Sequence, residues 1–277
     1  MIGQAKLLDK LNGLINDDKL PRFIIIVGER GSQSDEIAPF IAGVMSANYV
    51  RLNDVKVDTI RRMIDEAYSF SGLTIYNIAD ADNMSANAKN AMLKVCEEPP
   101  NNSYFVMSLE SLDNTLATIK SRATVFYMDK YSKSELMQYC DKRCKDKNQA
   151  YKDMIVSLSD TPGDIDILSE SGDKFYEYVD RFVEDVIRLT GSEALNLTSE
   201  VSVKDGDGKF DTVMFFKIFQ NLCVRKAEEY SDSQIIAKYC WSVIRAGECM
   251  RDIKRVRGIN KQMLLDEFVL RLRKIWK

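Results

Sequence analysis

"LTIYNIADADNMSANAKNAMLKVCEEPPNNSYFVMSL", residues 73–109, passes through three kinds of local chemistry. It opens on the apolar, β-branched run Leu73 to Ala79 and closes on a second apolar run, Ser103 to Leu109. Between them Ala88, Ala91, Met92 and Val95 recur at helical spacing. Ser85 stands where an N-cap belongs, and Pro99-Pro100 ends the helix because proline brings no amide to continue it. Two strands joined through a helix form a parallel pair, since a tight turn can join only antiparallel strands.

The same pattern extends outward. "FIIIV" at 23–27, "NYVRL" at 48–52 and "TVFYM" at 124–128 complete a set of five runs whose starts lie 20 to 30 residues apart. A second helix is predicted within residues 55–70, where Val57, Ile60, Met63, Ile64 and Ala67 share one stripe. The first half is therefore expected to be an α/β domain with a five-stranded, mostly parallel sheet. After Tyr131 the pattern turns helical, with only an ambiguous "LNLTSEVSV" at 195–203 and the punctuation "SDTPGD" at 159–164 and "KDGDGK" at 204–209. The expected domains are 1–130 (α/β), 131–172 (small helical bundle) and 173–277 (larger helical domain), with possible breaks near 191 and 204–209.

With 277 residues, 45% hydrophobic and 29% charged, the chain has the composition of an ordinary globular protein, long enough for two or three domains. No apolar run reaches membrane-spanning length, and "MIGQAKLLDKLNGL" is charged where a secretory signal is apolar, so a cytoplasmic protein without membrane contact is expected. There is no histidine, and the six cysteines form no C-x-x-C pair, although Cys140 and Cys144 sit one turn apart. That argues against a metal site and removes histidine-dependent triads and imidazole acid-base catalysis. The net charge of −3 conceals an asymmetry: from Arg245 onward ten Lys/Arg face four Asp/Glu, whereas the preceding 244 residues carry 29 and 38. Such a basic end suits DNA or an acidic partner, or simply a solvated helical face.

"IIIVGERGSQSDEI", residues 24–37, has the strand, glycine turn and helix start of a phosphate-binding P-loop. A working P-loop surrounds phosphate with backbone amides, adds a lysine for charge and a hydroxyl for magnesium. Aligned on Gly28, with Gly31 inside the turn, this chain has Gln33, Ser34 and Asp35 where the second glycine, the lysine and the hydroxyl belong. Asp35 would set a negative charge beside phosphate oxygens, and Pro39 removes an amide from the following helix.

The stretch from Ala81-Asp82 and Met84 through Ala88, Asn90-Ala91, Leu93-Lys94, Glu97-Glu98-Pro99-Pro100, Thr118-Ile119 and Ser121-Arg122 resembles the AAA+ clamp-loader family. "GQAKLLDKL" at 3–11, "LPRFIIIVG" at 20–28 and "GINKQMLLDEFVLRLRKIW" at 258–276 extend the resemblance over most of the chain. It implies a RecA-like AAA+ domain, a helical lid domain over 131–172 and an all-α oligomerisation collar over 173–277. In the acidic box Ala79 replaces the magnesium-holding aspartate, Asp80 replaces the catalytic glutamate, and "TPGDI" has Asp164 where family ATPases carry a lid arginine. These losses are similar to the profile of the bacterial delta-prime type, the stator of the DNA polymerase III clamp loader. Two departures remain: a cysteine-rich module often inserted in that type is absent, and the S-R-C motif reads Ser121-Arg122-Ala123.

The resemblance implies no ATPase activity and no cofactor of the chain's own, with ATP and Mg held by a neighbouring subunit toward which Arg122, preceded by Ser121, would project as an arginine finger. The alternative for Arg122 is a helix-capping or surface ion-pairing role. Implied partners are gamma/tau-like ATPase subunits, a delta-like subunit, a sliding clamp and primer-template DNA. Arg61, Arg62 and the helix start at Ser85 are candidate DNA contacts or else ordinary solvated positions. An active AAA+ motor with an atypical loop and an AAA+-derived scaffold outside replication are the other classes. The stripe Met263, Leu264, Phe268, Leu272 and Ile275 is expected to find its burial partner in sister subunits.

Overall fold

A computed structural model describes residues 2–189, 191–199, 201–202, 210–256 and 258–277. The expected polar loop at 204–209 lies outside the described residues. The chain divides into two compact units, Met1–Lys142 with Asp160–Gly163, and Arg143–Ser159 with Asp164–Lys277.

The first unit is built on strands β1 (Phe23–Val27), β2 (Asn48–Arg51), β3 (Thr74–Ile78), β4 (Ser103–Leu109) and β5 (Thr124–Tyr127) in the spatial order β2-β3-β4-β1-β5. Every pairing is parallel, from Phe23 opposite Phe105 to Ile78 opposite Met107. Helices α1 (Ala5–Asn16), α2 (Ile37–Met45), α3 (Val57–Ser69), α4 (Ala86–Glu97) and the short α5 (Ala117–Lys120) connect and flank them. Alternation along each strand sends side chains to opposite faces, so a sheet covered on both sides needs strands that are apolar throughout. Phe23, Ile25, Tyr76, Ile78, Phe105 and Met107 form one face, packed on Ile60, Met63 and Ile64 of α3 and Ala88, Met92 and Val95 of α4. Ile24, Ile26, Ile75, Tyr104, Val106 and Phe126 form the other, packed on Leu7 and Leu11 of α1 and Ile37, Ala38 and Ile41 of α2. Edge strand β2 is exposed along its whole length, consistent with its mixed sequence. Ser85 caps α4, its Oγ accepting from the Ala88 amide at 3.2 Å, and Pro39 sits in the first turn of α2, where its missing amide breaks no helical bond.

Helices α6 (Lys133–Arg143), α7 (Gln149–Leu158), α8 (Pro162–Arg188), α9 (Gly191–Asn196), α10 (Thr212–Glu228), α11 (Ser233–Arg255) and α12 (Lys261–Trp276) make up the remainder, most of it in the second unit. The boundary expected between residues 172 and 173 falls inside the continuous α8. The ambiguous segment at 195–203 contributes the end of α9 and a two-residue strand, Val201–Ser202, paired with Phe210–Asp211, so this unit is not wholly helical. Its core is aromatic: Phe182, Phe215, Phe216 and Phe219 surround Phe268 with ring centroids 5.0 to 6.4 Å away. The expectation for α12 is thereby corrected. Leu264, Phe268 and Leu272 are buried within the chain's own core, and Met263 is left exposed. No helix among the described residues is long and apolar enough to cross a membrane.

Candidate functional site

Neighbouring strands β1 and β4 send their onward connections to opposite sides of the sheet, β1 toward β2 and β4 toward β5. In an open parallel sheet the crevice outside the carboxyl ends of such strands is where ligands bind. A cavity of about 130 Å³ sits there, lined by Gly28 to Gly31 and Gln33 to Asp35 after β1, Asp80 and Asp82 after β3, and Ser108 to Glu110 at the end of β4. The structure therefore brings Gly28, Gly31, Gln33, Ser34, Asp35 and Asp80 together around one opening. That volume is small beside the roughly 300–1,000 Å³ of small-molecule sites.

The loop closes upon its surroundings through backbone contacts. The Gly163 amide donates to the Gly31 carbonyl at 2.9 Å, the Thr161 hydroxyl to the Arg30 carbonyl at 3.2 Å, and the Tyr131 hydroxyl to the Ser32 carbonyl at 2.7 Å. Burial pushes the Tyr131 hydroxyl up to about 12, so it remains a donor. Gly31 has φ +78°, and a Cβ built on Gly163 would come within 2.5 Å of the Gly31 Cα, so the two loops meet backbone to backbone. A Cβ on Gly28 would overlap Ser32 Oγ and Met128 Cγ.

Acidic groups dominate the rim. The Asp35 carboxylate pairs with Arg51 at 2.9 Å, and its backbone carbonyl accepts from Asn77 Nδ2, also at 2.9 Å. The same Asn77 amide reaches the Tyr49 hydroxyl at 2.9 Å. Asp82 joins two strand ends, accepting from the Glu110 amide at 2.6 Å and Asn114 Nδ2 at 2.7 Å. Asp80 occupies the left-handed region at φ 53°, a conformation aspartate tolerates better than most residues, and Ala79 brings no ligand atom. Among the described residues no three acidic, cysteine or histidine side chains are placed to hold a metal ion.

Arg122 lies elsewhere, just beyond α5. Its Nη1 donates to the Thr118 carbonyl at 3.0 Å and to Ser121 Oγ at 3.4 Å, while Nη2 pairs with Glu97 Oε1 at 2.9 Å. The side chains stay 38% and 52% exposed, so the guanidinium is held at the surface rather than enclosed. Ser121 Oγ donates to the Thr118 carbonyl at 3.0 Å. The adjacent Cys96 is buried, which pushes its thiol up to about 12 and leaves it unreactive at neutral pH. Arg61 and Arg62 are exposed on α3, the former 3.9 Å from Asp58 and the latter 3.4 Å from Thr59 Oγ1. Arg51 and Asn77 are participants that the sequence does not single out, and nothing in "TPGDI" foretold the contacts of Thr161 and Gly163 with the loop. Glu97 carries a signal as the first acid of the E-E-P-P run, which did not point to Arg122.

Residues 47–132 match the family described as DNA polymerase III, delta subunit. A DNA polymerase III subunit delta' of Yersinia pestis is 32% identical over 79 residues, 27% of this chain and 23% of that protein. A DNA polymerase III subunit gamma of Buchnera aphidicola is 30% identical over 87 residues, 30% of this chain and 24% of that one. The matched region thus spans about a quarter of the length of these curated relatives. A crystal structure of a DNA polymerase III gamma subunit-related protein from Thermotoga maritima superposes with a TM-score of 0.55 at 16% identity, covering 98% of this chain and 99% of that chain. At that identity the likeness speaks for the fold alone, a parallel α/β sheet domain followed by helices. Over residues 47–132 the chain is thus similar to the delta-type subunits of DNA polymerase III.

Proposed function

We propose that this chain is a non-hydrolysing stator subunit of a sliding-clamp loader that supplies Arg122 in trans to ATP held by a neighbouring subunit. The observation that carries the reading is the composition of the cavity after β1. Its phosphate end presents Asp35, already paired with Arg51, and its other walls bring Asp80, Asp82 and Glu110. These residues do not fit Mg-ATP: the loop places no ammonium at Ser34, Ala79 supplies no metal ligand, and the Asp35 carboxylate stands where the P-loop hydroxyl belongs. The loop is a degenerate P-loop retained as scaffold. Arg122, exposed beside Ser121, keeps the planar fork that stabilises charge developing on a γ-phosphate.

On this reading the partners are gamma/tau-like ATPase subunits and a delta-like subunit, acting on a sliding clamp and primer-template DNA, with residues 173–277 as the assembly collar. Duplex phosphates would meet Arg61, Arg62 and the exposed start of α4 at Ser85, where helix amides favour anions.

Calorimetric titration of the isolated chain with Mg-ATP is expected to show no binding, and micromolar affinity would overturn the reading of the loop. In the reconstituted loader, single-turnover hydrolysis at the one site facing this subunit tests the finger. Arg122→Ala is expected to assemble normally yet lose most of that site's rate, since fingers contribute roughly 10³ to 10⁵ where they act. Arg122→Lys should restore it only in part, because an ammonium is not a fork. An unchanged rate in the assembled alanine variant would reduce Arg122 to a surface charge.

A further inference from the structure

The partner of Arg122 within its own chain suggests how the finger is held before it acts. We infer that Glu97 is a positioning residue that parks the Arg122 guanidinium in cis, and that the facing phosphate must displace this carboxylate to engage it. The inference rests on the finger reading above. Glu97 is the last residue of α4 and Arg122 follows α5 by two positions, so the pair joins elements 25 residues apart in sequence at one surface. The Glu97 Oε1 to Nη2 distance of 2.9 Å is that of a direct ion pair, and Nη1 is held at the same time by the Thr118 carbonyl and Ser121 Oγ. Three acceptors thus fix the plane of the guanidinium, leaving Nε–H with no acceptor among the described contacts.

Their relative strength decides how such a device can work. An exposed carboxylate-guanidinium pair biases an equilibrium by about 1.4- to 5-fold, enough to hold an arginine at rest. A polyanionic phosphate in a water-poor interface outcompetes it. The parked state therefore slows idle turnover modestly and adds little barrier once the neighbour's nucleotide is in place. Thr118 and Ser121 keep the fork near the surface after Glu97 lets go.

Two measurements on Glu97→Gln, an isosteric change at an exposed position, test this. In the isolated chain, modification of Arg122 by phenylglyoxal, followed by peptide mass spectrometry, is expected to speed up by about 2- to 5-fold with the thermal midpoint unchanged. In the reconstituted loader, idle hydrolysis at the facing site should rise by a similar factor while the clamp- and DNA-stimulated rate stays within about twofold. Unchanged phenylglyoxal reactivity would overturn the parked state. Faster labelling with an unchanged or lower idle rate, in a loader where Arg122→Ala abolishes the facing site, would overturn its control of turnover while leaving the finger standing. An Arg122→Ala loader with an unchanged facing site would instead refute the finger, and with it any catalytic meaning of Glu97.

Discussion

Replacing Gly31 with alanine tests whether the loop after β1 is a clamped scaffold. At φ +78° an alanine pays about 1–2 kcal/mol for the left-handed conformation. Its Cβ would also lie 2.8 Å from Thr161 Oγ1 and 2.9 Å from the Gly163 Cα, the second a backbone atom that cannot rotate away. Overpacking of this kind adds about 1–3 kcal/mol, and the stiffer unfolded chain returns about 0.4–1 kcal/mol. The net expectation is a loss of about 2–4 kcal/mol, or roughly 5–15 °C in midpoint for a unit of this size. Gly43 on α2 is the internal control, since a Cβ added there would meet nothing within 4 Å and Gly43→Ala should stabilise by about 0.5–1 kcal/mol. Both tryptophans, Trp241 and Trp276, belong to the second unit. Urea unfolding followed by far-ultraviolet circular dichroism, with hydrogen exchange of the β1 amides, reads the first unit, and tryptophan fluorescence reads the other. Gly31→Ala proving no more damaging than Gly43→Ala would refute the clamped loop.

Asp164→Arg would face the Lys217 ammonium that now sits 2.6 Å from the carboxylate, with only 12% and 21% of the two side chains exposed. Discounting the cost of breaking a fully buried pair for this partial exposure gives a loss of about 2–4 kcal/mol, measurable by fluorescence-detected urea unfolding; a change below about 0.5 kcal/mol would contradict it. The thiols give a third expectation. Cys240 is exposed and the other five cysteines are buried, so a disulfide reagent at pH 8 should modify one thiol rapidly, and two or more fast thiols would contradict the packing. Burial pushes Cys96 and Cys223 up to about 12 and Cys249 to about 11, from an ordinary value of 9.0. Unfolded thiols ionise first, so the stability these groups contribute is complete below pH 9 and declines between pH 9 and 12; denaturant midpoints across that range check the sign.

The sheet was legible because a parallel strand covered on both faces is near-continuously apolar, as "FIIIV" is and as "SYFVMSL" is apart from its two serines. Even the exposed β2 could be placed, from the aromatic and β-branched pair in "NYVRL" together with its spacing from its neighbours. The continuity of α8 was not legible. A domain boundary was expected after Gly172, but the flanking stripe of Ile165, Leu168, Phe175, Val179, Phe182 and Val186 is buried, and that packing outweighs the cost of about 1 kcal/mol for a glycine inside a helix. The stripe on α12 was recognised but its partner misjudged, because periodicity says that a face is buried and nothing about which chain buries it. At the site the residues around Gly28 to Asp35 could be named from spacing alone. The contacts of Asp35 with Arg51, of its carbonyl with Asn77, and of Arg122 with Glu97 could not, since each joins segments 16 to 42 residues apart.

The locked loop also bears on molecular ancestry. On the stator reading, three changes, Gln33→Gly, Ser34→Lys and Asp35→Thr, would rewrite the P-loop signature, yet they would not rebuild a nucleotide site. Losing the Asp35 carboxylate strands Arg51 at the end of β2, and Ala79 still supplies no metal ligand. Any route back must pass through the step that forfeits the Asp35–Arg51 pair with no hydrolysis to select for it, so on the stator reading descent from an ATPase would behave as a ratchet that back-mutation does not readily release.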